Sequence, residues 1–306
     1  MKFKLKLLAA AGALAMAAGG AQAQLSSPGS GTTAGNAANG SLVFAALDSV
    51  GSPISFTANL GYNLLSFLPT SPVVGQTIVW NFATNAVTVD GVARAASTGN
   101  YQYSAPFAAF TGAAQSADLT WGVFAADNNG NTTQTNALNL ARRNVATTGA
   151  PTALDLVPAT SSITNAKIGG ATANIATLTT VLNTSIAPNT IQSGIGAQTA
   201  TSGSAYIGDS GGQSLRRDYG GQFTFDYMVA DKATSNFTLF TGGSTGTLIG
   251  AVAQYGNEVG LSTFTFDVAA NTLTFATPVP EPESVAMMLA GLAFIGSVVV
   301  RRRKTA

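Results

Sequence analysis

Side chains able to do chemistry are few in this chain. It has no His and no Cys. A Ser-His-Asp triad, a thiolate nucleophile, a His-ligated metal and a cysteine-ligated zinc or iron–sulfur centre are therefore all excluded. Paired carboxylates remain, because glycoside hydrolysis needs neither residue type. Glu258 and ten aspartates lie within residues 24–278. Glu258 stands in Tyr255-Gly256-Asn257-Glu258 and Asp226 in Phe225-Asp226-Tyr227, yet no spacing marks one carboxyl as acid and another as nucleophile. Lys167 and Lys232, the only lysines of that span, sit in no Ser-x-x-Lys motif. The expectation is a non-enzymatic body, with a carboxylate-based glycosidase as one alternative.

Binding chemistry has slightly more to draw on. Asp127-Asn128-Asn129-Gly130-Asn131 has the oxygen density of a calcium loop. It departs from the EF-hand pattern, with Gly fourth instead of sixth and Leu138 in place of Glu at position twelve. It reads as a polar loop after a strand holding Trp121; calcium is the one ion it suggests, and no cofactor is expected. Asp209-Ser210-Gly211-Gly212 and Asp90-Gly91 are turn signals. Tyr101 and Tyr103 would share one face of a strand, and Arg216-Arg217-Asp218-Tyr219-Gly220-Gly221 is the densest polar-aromatic group. Either could stack on sugars, as in a polysaccharide-binding, lectin-like module; ordinary packing explains both as well. Trp80 and Trp121 stand in apolar strand contexts and read as core.

The elements that would position these residues are mainly β. From Ser41 onward, short β-type runs alternate with Gly, Asn and Asp punctuation. Strands are expected at 42–47, 54–58, 77–82, 86–89, 119–125, 222–229, 236–240, 263–268 and 272–275. Ala171, Ile175, Leu178 and Leu182 recur at i, i+4, i+7 and i+11, which predicts one helix ending before Pro188. Residues 135–146 fit a strand or a helix. Residues 78–89 align without gaps to 264–275, placing Asn85 and Asn271 just past two hairpin tips, where Asn tolerates positive φ. This reads as shared turn chemistry, with a functional repeat as the other reading. The fold class expected for residues 41–278 is a β-sandwich or jelly-roll-like domain with one inserted helix. Residues 24–40 read as a flexible Gly/Ser/Thr linker.

Charge is sparse and uneven. Charged residues make up 9 % of the chain, against a typical ~25 %. The net charge of +1 hides cations gathered at both ends: Lys2, Lys4 and Lys6 at one, Arg301, Arg302, Arg303 and Lys304 at the other. Residues 24–278 carry seven cations against eleven acids, a net −4. That balance argues against a nucleic-acid partner, which calls for a basic patch, and none is expected.

Both ends read as addresses. Lys2, Lys4 and Lys6 precede an apolar stretch from Leu7 to Ala18, and Ala21-Gln22-Ala23 fits the small-residue rule for signal-peptide cleavage after Ala23. About 12 residues at 1.5 Å reach ~18 Å, short of a ~30 Å hydrocarbon core. Residues 1–23 are thus expected to be removed by signal peptidase. At the other end, Val279-Pro280-Glu281-Pro282-Glu283-Ser284 leads into an apolar run from Val285 to Val300, followed by the Arg/Lys cluster. Eight of the 16 residues in the run are Val, Leu, Ile or Phe, worth roughly −2 to −5 kcal/mol of insertion free energy. A single C-terminal transmembrane helix over 285–300 is expected. The cations Arg301, Arg302, Arg303 and Lys304 would stay in the cytoplasm and leave the body outside. Pro280 and Pro282 flank Glu281 and favour an extended, exposed stretch before the helix, which reads either as a protease substrate or as a linker before an ordinary tail anchor.

Val279-Pro280-Glu281-Pro282, a helix containing Ala290-Gly291-Leu292 and Gly296, and a final Arg cluster resemble the PEP-CTERM sorting signal. The likeness covers residues 279–306. It differs at Glu283-Ser284-Val285, where family members often carry Ser-Thr and then an aromatic residue. The resemblance implies an exported protein of a Gram-negative bacterium, processed by the membrane enzyme exosortase. It implies a membrane-anchored intermediate, then cell-surface or extracellular placement, often alongside exopolysaccharide. Its sorting residues here would be Pro280, Glu281 and Pro282. It implies nothing about residues 24–278.

Overall fold

The computed structural model describes residues 25–27, 40–50, 53–67, 73–97, 99–114, 119–128, 143–149, 165–185, 190–191, 195–208, 229–242, 249–254, 256–257 and 260–279. These residues build a mainly β domain of two facing sheets with a helix on the outer side of one.

The larger sheet runs β13 (Ile249–Gln254), β12 (Thr238–Gly242), β8 (Arg143–Thr147), β7 (Thr120–Asn128), β1 (Ser41–Asp48), β2 (Ile54–Asn63), β9 (Ile195–Ala200) and β6 (Tyr101–Gln102), with β10 (Val229–Ala230) also on β7. The smaller runs β11 (Thr234–Asn236), β16 (Thr263–Asp267), β17 (Thr272–Ala276), β3 (Thr77–Asn81), β4 (Ala86–Val89) and β5 (Val92–Ala93). β14 (Gly256–Asn257) and β15 (Gly260–Leu261) pair with each other.

Burial patterns explain the layers. In β3, β16 and β17 every second residue is buried, as expected of strands with one face on a core and one on solvent. β1 is buried at all eight positions. Its unbroken apolar run Leu42-Val43-Phe44-Ala45-Ala46-Leu47 serves two cores at once. Leu42, Phe44 and Ala46 face the smaller sheet, where the Phe44 ring lies 5.1 Å from Phe82 and 4.8 Å from Phe266. Val43, Ala45 and Leu47 face the helix α3 (Asn165–Thr184). The stripe Ala171, Ile175, Leu178 and Leu182 is buried there, as its spacing predicts.

The two hairpin tips also follow the sequence reading. Asn85 and Asn271 have φ of 59° and 61°. Asn81 Oδ1 accepts from the N–H groups of Ala83 and Thr84, and Asp267 Oδ1, at the aligned position, accepts from those of Ala269 and Ala270. The aligned hairpins are sheet neighbours, because β17 pairs with β3 in the register Leu273↔Trp80. Asp90-Gly91 forms the β4–β5 turn at φ 52° and 77°.

Four expectations are corrected. The run 236–240 is not one strand: β11 pairs with β16 in the smaller sheet, β12 with β8 in the larger, and fully buried Phe237 marks the crossing. A strand through Tyr101 and Tyr103 stops at Gln102, and a second helix, α2 (Ser104–Ala113), follows, so the inserted helix is not alone. A short turn of helix, α1 (Leu64–Phe67), closes β2. Strands β9 and β13 were not anticipated. Of the expected strand 222–229, only Val229 lies within the described residues. Among the described residues no helix is long and apolar enough to cross a membrane, and the span expected at 285–300 lies outside them.

Candidate functional site

Two regions are candidates: the exit of the chain toward its tail, and a polar corner built on a bulge in β2.

At the exit, β17 ends and the next residues are tied down one by one. Thr277 N donates to Gln76 O, Gln76 N to Thr277 Oγ1, and Gly75 N to Pro278 O. Gly75 has φ +73°, and a Cβ there would stand 2.7 Å from Val279 Cγ1, so position 75 admits only glycine without rearrangement. Val279 is then 58 % exposed beside exposed Val73 and Val74. The folded body thus delivers the residue before Pro280 to the surface. Pro280, Glu281, Pro282, Arg301, Arg302, Arg303 and Lys304 lie outside the described residues, as do Ala21 and Ala23.

The second region begins with Asn59-Leu60-Gly61-Tyr62-Asn63. The β1–β2 register shifts between Ser41↔Asn63 and Val43↔Asn59, which marks a bulge. Asn59 Oδ1 accepts from Gly61 N, and Gly61 adopts φ +74°. The bulge brings Tyr62 and the Gly61 carbonyl to Arg94, which follows β5 and donates its N–H to Val87 O. The Arg94 guanidinium lies 3.8 Å over the Tyr62 ring. Its Nη1 donates to the Tyr101 hydroxyl at 2.6 Å and its Nη2 to Gly61 O at 3.1 Å. Half-buried Arg94 lines two adjoining clefts of about 500 and 590 Å³. Burial raises the Tyr62 and Tyr101 phenols above their usual range, against an opposing pull from Arg94. Both are neutral at pH 7 and supply no counter-charge.

Other expected site residues fall elsewhere. Tyr101 and Tyr103 are buried, Tyr103 completely, with its hydroxyl donating to Asn59 O. They hold the corner together, and Tyr101 borders the smaller cleft. Trp80 and Trp121 are core, their indole N–H groups donating to Leu60 O and Ala230 O. Arg216 to Gly221, Asp209 to Gly212, Asp226 and Glu258 lie outside the described residues.

Four of the five described aspartates hold turns. Asp48, Asp90, Asp231 and Asp267 accept from the N–H groups of Val50, Thr77, Val268 and the Ala269–Ala270 pair. Asp127 differs. It opens the oxygen-rich run, is buried opposite Asn144 in the β7–β8 ladder, and among the described residues neither of its carboxylate oxygens finds a donor. Burial pushes its carboxyl up to about 7. Asn129, Gly130 and Asn131 lie outside the described residues.

In the sequence Arg94 counts only among the seven cations of residues 24–278, and Tyr62 belongs to no motif. The available signal was a glycine inside a strand-like run, 54–63, which reads as a bulge.

The chain ends in a C-terminal sorting tail. Residues 278–304 match the PEP-CTERM protein-sorting motif, beginning at Pro278, whose carbonyl accepts from Gly75 N. No curated protein and no solved structure matches the chain. The motif supports an exported protein processed by exosortase, through a membrane-anchored intermediate.

Proposed function

We propose that this is a non-catalytic structural or interaction protein of the cell surface or extracellular matrix, delivered there by its tail. The match at 278–304 supports the delivery part of this reading. Signal peptidase would remove residues 1–23. The helix 285–300 would hold the body at the membrane with Arg301, Arg302, Arg303 and Lys304 inside, and exosortase would cut near Pro280, Glu281 and Pro282. Exposure of Val279 favours this order of events, because a protease needs several extended residues clear of the fold. Deleting residues 279–306 tests the reading: the protein should be released in soluble form without tail processing. A deletion variant that matures and localises like wild type contradicts it.

A second reading, a glycan-binding module, has one observation in its favour. The paired clefts at Arg94 are lined largely by amides and hydroxyls, including Asn63, Ser66, Asn85, Ser97 and Asn100. Such groups match the alternating donors and acceptors of a sugar ring.

A further inference from the structure

We propose that the Arg94 clefts bind an acidic sugar, with the guanidinium taking the carboxylate of a hexuronate; this rests on the glycan-binding reading above. Arg94 is the starting point. Among the described residues the partners of its guanidinium are a phenol, a peptide carbonyl and an aromatic ring, all neutral. Among the described residues no carboxylate reaches it. A half-buried cation without a counter-ion is an electrostatic debt that a bound anion removes.

The geometry is also preorganised. Stacking on Tyr62 and two hydrogen bonds hold the guanidinium flat, so little side-chain freedom remains to be lost on binding. A guanidinium has five N–H donors, and two are used here. Three N–H donors remain, enough to serve the two oxygens of a carboxylate.

Charge count and lining narrow the ligand. Arg94 is the one cation among the lining residues of both clefts, and no aspartate or glutamate joins it. One positive charge balances one carboxylate; a phosphate dianion or a nucleic-acid backbone calls for more. The exposed amide of Asn100 and the hydroxyls of Ser66 and Ser97 suit ring hydroxyls. An acidic peptide would want apolar seats for its neighbouring side chains, and these clefts offer few. Their volumes lie within the ~300–1,000 Å³ range of small-ligand sites.

The test is calorimetric titration of the full-length protein in detergent micelles at low ionic strength. The probes are trigalacturonate, its methyl ester, neutral maltotriose, inorganic phosphate and triglutamate. Trigalacturonate should bind at least ten-fold more tightly than each of the others. Arg94→Gln should remove at least ten-fold of that affinity. Asn100→Asp, on an exposed residue that the fold does not need, should weaken it several-fold by setting a like charge at the cleft. Ester and acid binding equally would overturn acid recognition while leaving the glycan-binding reading standing. No binding of any saccharide would overturn both. Preference for phosphate or triglutamate, or an Asn100→Asp variant that binds trigalacturonate like wild type, would also overturn the proposal. The ester comparison and Asn100→Asp decide the matter even if Arg94→Gln does not fold.

Discussion

Leu25 and Asn183 hold each other reciprocally: Leu25 N donates to Asn183 Oδ1 at 3.0 Å, and Asn183 Nδ2 donates to Leu25 O at 2.9 Å. Asn183 is in the last turn of α3, and Leu25 is only 3 % exposed in the core beneath that helix. Cleavage after Ala23 would leave Gln24 as the first residue, so the mature chain would start one residue before a buried anchor. The stretch 24–40 was expected to be flexible throughout; its opening residues are pinned, with Ser26 N also donating to Ser41 Oγ.

This relationship predicts a stability cost at a position that looks like linker. Leu25→Ala should destabilise the protein by about 2 kcal/mol, the low end for a buried leucine because a chain terminus relaxes more easily. Asn183→Ala should cost about 1–2 kcal/mol through two lost backbone partners. Urea titration followed by tryptophan fluorescence measures both, and unchanged midpoints would remove the anchor.

The two hairpin asparagines share a backbone conformation but not a task. Asn85 also caps α2: its Oδ1 accepts from Tyr103 N and Ser104 N, and its Nδ2 donates to Ser104 Oγ. Among the described residues the Asn271 side chain makes no such bonds. Asn271→Gly should leave stability within about 0.5 kcal/mol of wild type, since glycine accepts positive φ. Asn85→Gly keeps the turn but loses the cap, and should cost about 1–2 kcal/mol. Equal midpoints for the two variants in thermal unfolding would show that the cap does not contribute.

Asp127 predicts a pH dependence opposite to that of most aspartates. Its folded carboxyl is raised to about 7, against an ordinary value near 4, by burial. Between these values the native state keeps a proton that the unfolded chain releases. Stability from this group is therefore full below about pH 4 and is lost as pH rises through about 7, by up to about 4 kcal/mol. Asp127→Asn should flatten that slope in urea unfolding measured from pH 4 to pH 8. A wild type that gains stability over this range relative to Asp127→Asn contradicts the assignment.

Much of the fold was legible because its signals are local. The Asn85 and Asn271 tips, the Ala171–Ile175–Leu178–Leu182 stripe and the alternation of Ile78 and Trp80 each depend on a few neighbouring residues. What escaped depends on distant partners. α2 is capped by Asn85 from the β3–β4 turn, a partner eighteen or more residues away that the local run does not name. Phe237 switches sheets because its neighbours Thr234–Asn236 and Thr238–Gly242 find different strands, while the local run reads as one. The run at 42–47 did carry a signal: apolar residues on both faces mean a sheet covered on both sides. The Arg94 corner was illegible for the same reason as α2, since Gly61, Tyr62, Arg94 and Tyr101 meet only after the bulge forms. The tail stood out because sorting signals are read as linear sequence.

Sorting through both termini is tested most directly by mass spectrometry of the protein isolated from its native cells, which reads the two mature ends together. The account predicts a chain beginning at Gln24 and ending before the apolar run that starts at Val285. Recovery of the intact 306-residue chain, Met1 to Ala306, from the cytosolic fraction would contradict it.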